Sequence, residues 1–274
     1  MKVEYKLAAW LALTVLVSLT LGVLDKARAL SWGYLQEEGA YPWAVLVLCV
    51  AWLILHRKDI SSSLFGEIRL QVMLFGLILV AMSIFYQAAE LSIIVFRLLL
   101  FSLGTFYVSF SGASLLPAFL VGIYGFALGF PIFVERYLAE SYSLLTVKML
   151  AWTLKTLGYG FTTQGQVISL TSVARDGISI YIGAPSSGSV SMGIFIIIFA
   201  LMMLDYRLPA KKAAMMFIFG VLGTAFQNLL RLAIILLVGY YLGSGAMWKT
   251  HDYVGYFLYP IWFTFFAYVY LRLR

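Results

Sequence analysis

Arg231 lies far inside the apolar run Ala213–Leu242, three residues after Asn228 and four after Gln227. Residues three and four apart share a helical face, so the three side chains form one polar patch in hydrocarbon surroundings. An ionisable group there costs several kcal/mol and is a functional signal by default. An arginine can also snorkel or satisfy a neighbour's carbonyls, but three strong hydrogen-bonding groups on one face exceed what packing needs. A second arginine, Arg97, follows Glu90 by two helical turns, and a structural ion pair accounts for it. The segment Ser186-Ser-Gly-Ser-Val-Ser-Met192 turns from polar to apolar. One serine would suffice to cap a helix, whereas four with a glycine suggest that the N–H groups of the helix start serve an oxyanion beside a nucleophile. His251, in Lys249-Thr-His-Asp252, stands at the entrance to the last apolar run, while His56 sits at a span end beside Arg57 and Lys58 and reads as interfacial.

These groups need a scaffold, and composition says which kind. The 274 residues are 63% hydrophobic and 11% charged, with a mean hydropathy of +0.96. Soluble chains carry about 25% charged residues, so an ordinary soluble domain is excluded. The apolar stretches are continuous rather than alternating, which argues against a β-barrel. At roughly 20 residues per spanning helix, eight runs fit: Leu7–Leu24, Tyr41–Leu55, Leu70–Gln87, Leu91–Phe110, Leu115–Val134, Ser189–Leu204, Ala213–Leu242 and Tyr253–Leu271. The first is longer than a usual signal core and is read as a retained helix. The lone Cys49 reads as a packing residue. The fold expected is an all-α polytopic membrane protein in one integral domain, 1–274. Five spans fill 1–134, an extramembrane segment fills 135–185, and three spans carrying the site fill 186–274.

The net charge of +7 comes from residues in short loops and at the termini, which fits orientation by the positive-inside rule better than nucleic-acid binding. With the N-terminus cytoplasmic, ten Lys and Arg lie inside and seven outside, four of the seven in the long connection Glu135–Pro185, where the rule carries little weight. Both termini are therefore expected in the cytoplasm and the long connection outside. In that connection, Ser141, Lys148 and Lys155 line one face of a helix over Tyr137–Leu157, and Leu138, Leu145, Leu150, Trp152 and Leu154 line the other. This fits a helix in the membrane interface, with a short tilted span as the alternative. The β-branched stretches Gln166–Val173 and Ile178–Ile182, joined through Asp176-Gly177, read as a β-hairpin that delivers the chain to Ser186.

Three elements in this order resemble the exosortase/archaeosortase family of membrane transpeptidases. Its pattern is a Cys-Ser/Thr-Gly-x-x-Ser-Leu/Met segment at a span start, then Asn-x-x-Arg in the next helix, then His-Asp-x-x-Gly before the last span. The matching segments are Ser186-Ser187-Gly188-Ser189-Val190-Ser191-Met192, Asn228-Leu229-Leu230-Arg231 and His251-Asp252-Tyr253-Val254-Gly255. Phe130-Pro131 also looks similar, and the resemblance covers about the C-terminal half. It implies an enzyme that recognises a C-terminal sorting signal on exported proteins, made of a short motif, an apolar helix and a basic tail. The enzyme cleaves near the motif and passes the new C-terminus to a lipid or glycan acceptor at the membrane or cell surface. It also implies a multi-pass protein of a prokaryotic cell membrane, archaeal by preference, with the site facing outside.

Carried over residue by residue, the resemblance makes Ser186, Arg231 and His251 catalytic, with Asn228, Ser187, Gly188, Ser191 and Asp252 supporting them. Gln227 joins them by its shared face. The departure is Ser186, which stands where the family has its nucleophilic cysteine. A thiol titrates near pH ~8.5 and supplies some thiolate at neutral pH, whereas a serine hydroxyl needs a base, for which His251 is the candidate. Three readings of Ser186 stand open: a replacement that disarms the enzyme, a native serine nucleophile, or a non-catalytic relative that binds tails. No cofactor is implied, and two separated histidines without a cysteine pair offer no metal site. A small transporter is the rival class, though no internal repeat supports it. An extended substrate motif is expected to pair with the edge of Ile178–Ile182.

Overall fold

The computed structural model describes residues 41–56, 67, 69–85, 91–171, 177–183 and 186–273. The expected first helix Leu7–Leu24, Arg57, Lys58, Glu90 and the turn residues Ala174–Asp176 lie outside the described residues. The chain is an all-α polytopic membrane protein with one small sheet. Its order is α1 Tyr41–Leu55, α2 Leu70–Phe85, α3 Leu91–Ser109, α4 Leu116–Phe133, a π turn Val134–Leu138 and α5 Ala139–Thr156. Strands β1 Phe161–Gln164, β2 Val167–Thr171 and β3 Gly177–Tyr181 follow, then α6 Ser189–Asp205, α7 Ala210–Leu242 and α8 Ser244–Arg272. Among the described residues, three helical runs, Leu116–Thr156, Ala210–Leu242 and Ser244–Arg272, are long and apolar enough to cross a membrane, and shorter apolar helices accompany them. The chain forms two compact units, Met1–Leu128 and Gly129–Arg274.

In the first unit, α2 and α3 pack closely because glycines face each other. A Cβ on Gly76 would lie 2.7 Å from the Gly104 carbonyl oxygen, and one on Gly104 would lie as close to the Gly76 oxygen. Small residues that let helix backbones touch are a membrane packing device. Val72, Leu79, Leu100, Leu103 and Tyr107 are buried around this contact. Cys49 is buried, with its thiol 3.7 Å from the Leu120 carbonyl, and His56 stacks on Trp52 at 3.8 Å between centroids.

The second unit is organised by a helical hairpin and a sheet. Gly243 has φ of +86° and at once ends α7 and begins α8. Glycine adopts that conformation without steric cost. Positions equidistant from Gly243 then face each other across the hairpin: Gly239 meets Met247, and Thr224 accepts a 3.0 Å hydrogen bond from the Trp262 indole. The last helix thus starts well before the expected Tyr253. The polar segment Ser244–Asp252 continues the helix because Met247 is buried against α7 and the sheet. His251 and Asp252 therefore sit two turns inside α8 rather than at its entrance.

The sheet has three antiparallel strands in the order β1-β2-β3, one more than the expected hairpin. The extra strand turns through Gly165, whose φ is +58°, as the first central residue of a two-residue hairpin loop requires. Ile168, Leu170, Ile178, Ile180 and Ile182 point to one face and are buried with Leu150 and Leu154 of α5 and Leu232, Ile235 and Leu236 of α7. Each such side chain contributes about 1.5–3 kcal/mol. Helix α5 docks on this core through Ser143, Thr146, Val147, Leu150 and Leu154. The single apolar face read from the sequence is consequently two faces. Leu150 and Leu154 go inward, while Leu138, Leu145 and Trp152 form an outward stripe, because the sheet offers α5 a second apolar surface.

Candidate active site

Ser186 follows β3 by a short turn, held where the Ser187 N–H donates to the Gly183 carbonyl at 2.9 Å. Gly188 then starts α6 with φ of +103°. A side chain there would be strained, and a Cβ would also lie 2.9 Å from the Asn228 side-chain amide. This glycine is needed for both reasons. The close approach lets Asn228 Nδ2 donate to the Ser186 carbonyl at 3.2 Å. Asn228 Oδ1 in turn accepts from the Tyr259 hydroxyl at 3.1 Å, which fixes the amide's orientation.

The serines of this segment divide by role. The N-cap position of α6 is Gly188, not a serine. Ser191 is buried and its hydroxyl donates back to the Gly188 carbonyl at 2.9 Å. Ser187 is buried, and its carbonyl accepts from Thr146 of α5 at 3.5 Å. Ser186 is half-buried and lines a cavity of about 210 Å³. Across that cavity stand Met247, Trp248 and His251 of α8, with Leu232 and Ile235 of α7 below and Ser179, Ile180 and Tyr181 of β3 at the side. Ser186 and His251, 65 residues apart in sequence, thus share one small chamber.

His251 Nδ1 lies 3.5 Å from Asp252 Oδ1, and its ring meets Trp248 edge-on at 5.6 Å between centroids. Arg231 lies beside Gly255, its Nε 3.7 Å from where a Cβ would be. Arg231 and Gly255 are each twelve residues from Gly243, so the hairpin puts the arginine one turn along α8 from His251. The Arg231 Nε is buried without a hydrogen-bond partner among the described residues. The same holds for both amide atoms of Gln227, whose side chain faces the bundle interior away from the cavity lining.

The structure therefore gathers Ser186, Gly188, Asn228 and His251 around one chamber and its wall. It sets Arg231 next to them, and leaves Ser187 and Ser191 as supports of the turn. Tyr259 was not singled out in the sequence, although it lies two helical turns from His251 and one from Gly255, on their face. Arg97 belongs elsewhere, with its Nε donating to the Ser83 carbonyl at 2.6 Å. Among the described residues, no group of His, Cys, Asp and Glu is arranged to hold a metal ion.

Chemically, the chamber holds a hydroxyl and an imidazole beside the start of a helix, whose first amides lack intrahelical acceptors. That combination suits acyl transfer. No curated protein and no solved structure matches the chain. A family model described as transmembrane exosortase (Exosortase_EpsH) matches residues 32–268, most of the chain and every residue of the chamber. The chain belongs to the transmembrane exosortase family.

Proposed function

We propose that this chain is a sorting transpeptidase in which Ser186 stands as the nucleophile and His251 as its base. The family acts on exported proteins that carry C-terminal sorting signals, and its members are transpeptidases of cysteine type. The reading for this chain rests on one observation: Ser186 and His251 line the same cavity, with Asn228 gripping the Ser186 carbonyl.

In the proposed reaction His251 takes the Ser186 hydroxyl proton while Oγ attacks the scissile carbonyl near the sorting motif. Asp252, beside Nδ1, favours the tautomer that leaves Nε2 free as the base. Arg231 and the first amides of α6 stabilise the oxyanion. The tetrahedral species collapses, His251 returns the proton to the leaving amine, and the upstream part remains as an ester on Ser186. A nucleophile on a lipid or glycan acceptor then attacks that ester as His251 takes its proton. The ester bond to Ser186 breaks as His251 returns the proton to Oγ, which regenerates the hydroxyl and releases the protein on its new anchor. The chamber faces outside the cell membrane and both termini face the cytoplasm.

A hydroxyl at this position is a poorer nucleophile than a thiolate, so the Ser186→Cys protein is expected to be the faster form. The test co-expresses each form with an exported protein of the same genome that ends in a short motif, an apolar helix and a basic tail, following its mass. Cleavage by both forms, lost on His251→Ala, supports a serine enzyme. Cleavage by the cysteine form alone means that Ser186 disarms the site. No cleavage by either form, with a substrate processed in its own host, overturns the proposal.

A further inference from the structure

The outer edge of β3 opens onto the chamber. The register pairs Ile180 with Ile168 and Ile178 with Leu170, and the Ile182 N–H donates to the Gln166 carbonyl at 2.9 Å. Directly opposed antiparallel residues alternate between bonded and non-bonded pairs. Ile178, Ile180 and Ile182 therefore spend their main-chain groups on β2. Those of Ser179 and Tyr181 point the other way, out of the sheet. The 2.7 Å contact between the Ser179 and Ser169 hydroxyls agrees, because side chains approach more closely in non-bonded pairs.

Among the described residues, no main-chain partner lies on that edge for Ser179 or Tyr181. Both residues are exposed, and both line the cavity that holds Ser186 and His251. Tyr181, 65% exposed, and Trp248, 56% exposed, flank the opening. An open edge with unpaired N–H and C=O groups is a template for an added strand.

We propose that the substrate's sorting motif binds as a fourth strand on the outer edge of β3. This binding site rests on the transpeptidase reading and supplies its recognition step. The outward groups of Gly177, Ser179 and Tyr181 span about 13 Å of extended chain, enough for a motif of about five residues. Main-chain bonds hold the segment in register, so its scissile carbonyl is set against Ser186 at the end of the strand. The side chains that alternate toward Tyr181 and Trp248 are read for specificity.

Proline provides the test because it removes one N–H. Ser179→Pro and Tyr181→Pro each delete an outward main-chain donor and leave the bonds to β2 in place, Ser179→Pro also losing the hydroxyl that meets Ser169, and edge strands tolerate proline. Thr163→Pro does the same on β1, the opposite free edge. The full-length proteins are compared in membranes with the co-expressed exported substrate, in whichever form, Ser186 or Ser186→Cys, cleaves it. Losing one main-chain bond to substrate is expected to slow cleavage about tenfold for Ser179→Pro and for Tyr181→Pro, with Thr163→Pro matching the parent. Parental rates for both β3 variants overturn the strand proposal and leave the transpeptidase reading intact.

A photoreactive benzoylphenylalanine in place of Tyr181, in the Ser186 protein, gives an independent measure if a proline variant fails to accumulate. Crosslinking to the substrate's motif is expected. Crosslinking only to a second copy of this chain, or to nothing, overturns the proposal. Should the parent cleave nothing in either form, the transpeptidase reading fails on that result alone, and the crosslink still decides whether the edge takes the motif.

Discussion

Arg97 and Arg231 both lie within apolar helices, one in each compact unit, and their surroundings differ. Arg97 is 8% exposed, and its Nε donates to the Ser83 carbonyl in the last turn of α2, where a cation offsets the negative end of the helix dipole. In the same unit the Ser83 hydroxyl donates to Val80, and Tyr107 donates to Ser114 while accepting from Ala118. Among the described residues of that unit, Trp43 Nε1 is the buried side-chain atom left unmatched. Among the described residues of the second unit, Ser143 Oγ, Arg231 Nε and both amide atoms of Gln227 are buried and unmatched. Buried polar groups are normally hydrogen-bonded. In the proposed reading the unmatched Arg231 beside the chamber is held for substrate, whereas matched groups such as Arg97 hold a scaffold.

The largest effects separate the two arginines. Arg231→Gln in a cleaving form should lower the cleavage rate by about 10²–10³, the cost of removing one oxyanion donor, with little change in melting temperature in detergent. Arg97→Met should do the reverse. Losing its hydrogen bond from a charged group costs about 1.5–3 kcal/mol of stability, while cleavage per folded molecule stays at the parental rate. If both variants lose stability and neither loses rate, Arg231 is another structural arginine and the contrast collapses.

Gln227 sharpens the comparison from the opposite side. An unsatisfied buried polar group costs about 1–3 kcal/mol, and replacing it with an apolar group of similar shape removes that cost. Gln227→Leu should therefore raise the melting temperature in detergent. A fall in stability would mean that the amide is already satisfied inside the protein.

Much of the scaffold was legible in the sequence, because continuous apolar runs between polar segments leave a membrane chain few choices. Tyr41–Leu55, Leu91–Ser109 and Ala210–Leu242 are helices where such runs predict them. The hairpin of β2 and β3 also follows from β-branched residues around Asp176-Gly177. Strand β1 was hidden because Phe161-Thr-Thr-Gln164 is short, though Gly165 before Gln166 is usable hairpin chemistry. The early start of α8 was hidden because Ser244–Asp252 is polar, and its helicity depends on Met247 docking against α7. The polar patch of Gln227, Asn228 and Arg231 was visible from spacing. Its division was not: Asn228 turns to Ser186, Arg231 to Gly255, and Gln227 to the interior. That division depends on where the hairpin through Gly243 puts α8, a tertiary fact.

Glycines carry the comparison to its smallest effects. Gly188 combines φ of +103° with a Cβ position 2.9 Å from the Asn228 amide. The left-handed conformation alone costs a side chain about 1–2 kcal/mol. Gly188→Ala should therefore lower stability by at least that much and, by displacing Asn228 from the Ser186 carbonyl, slow cleavage as well. Gly122, inside α4, has open space where a Cβ would go and carries no such conformation. Gly122→Ala should stabilise by about 0.5–1 kcal/mol, because alanine loses less freedom in a helix, and should leave cleavage alone. Melting curves for the two variants in the same detergent are the measurement. A loss from Gly122→Ala would show that a contact outside the described residues fills that space, and a neutral Gly188→Ala would show that the Asn228 amide can move without loosening the turn that carries Ser186.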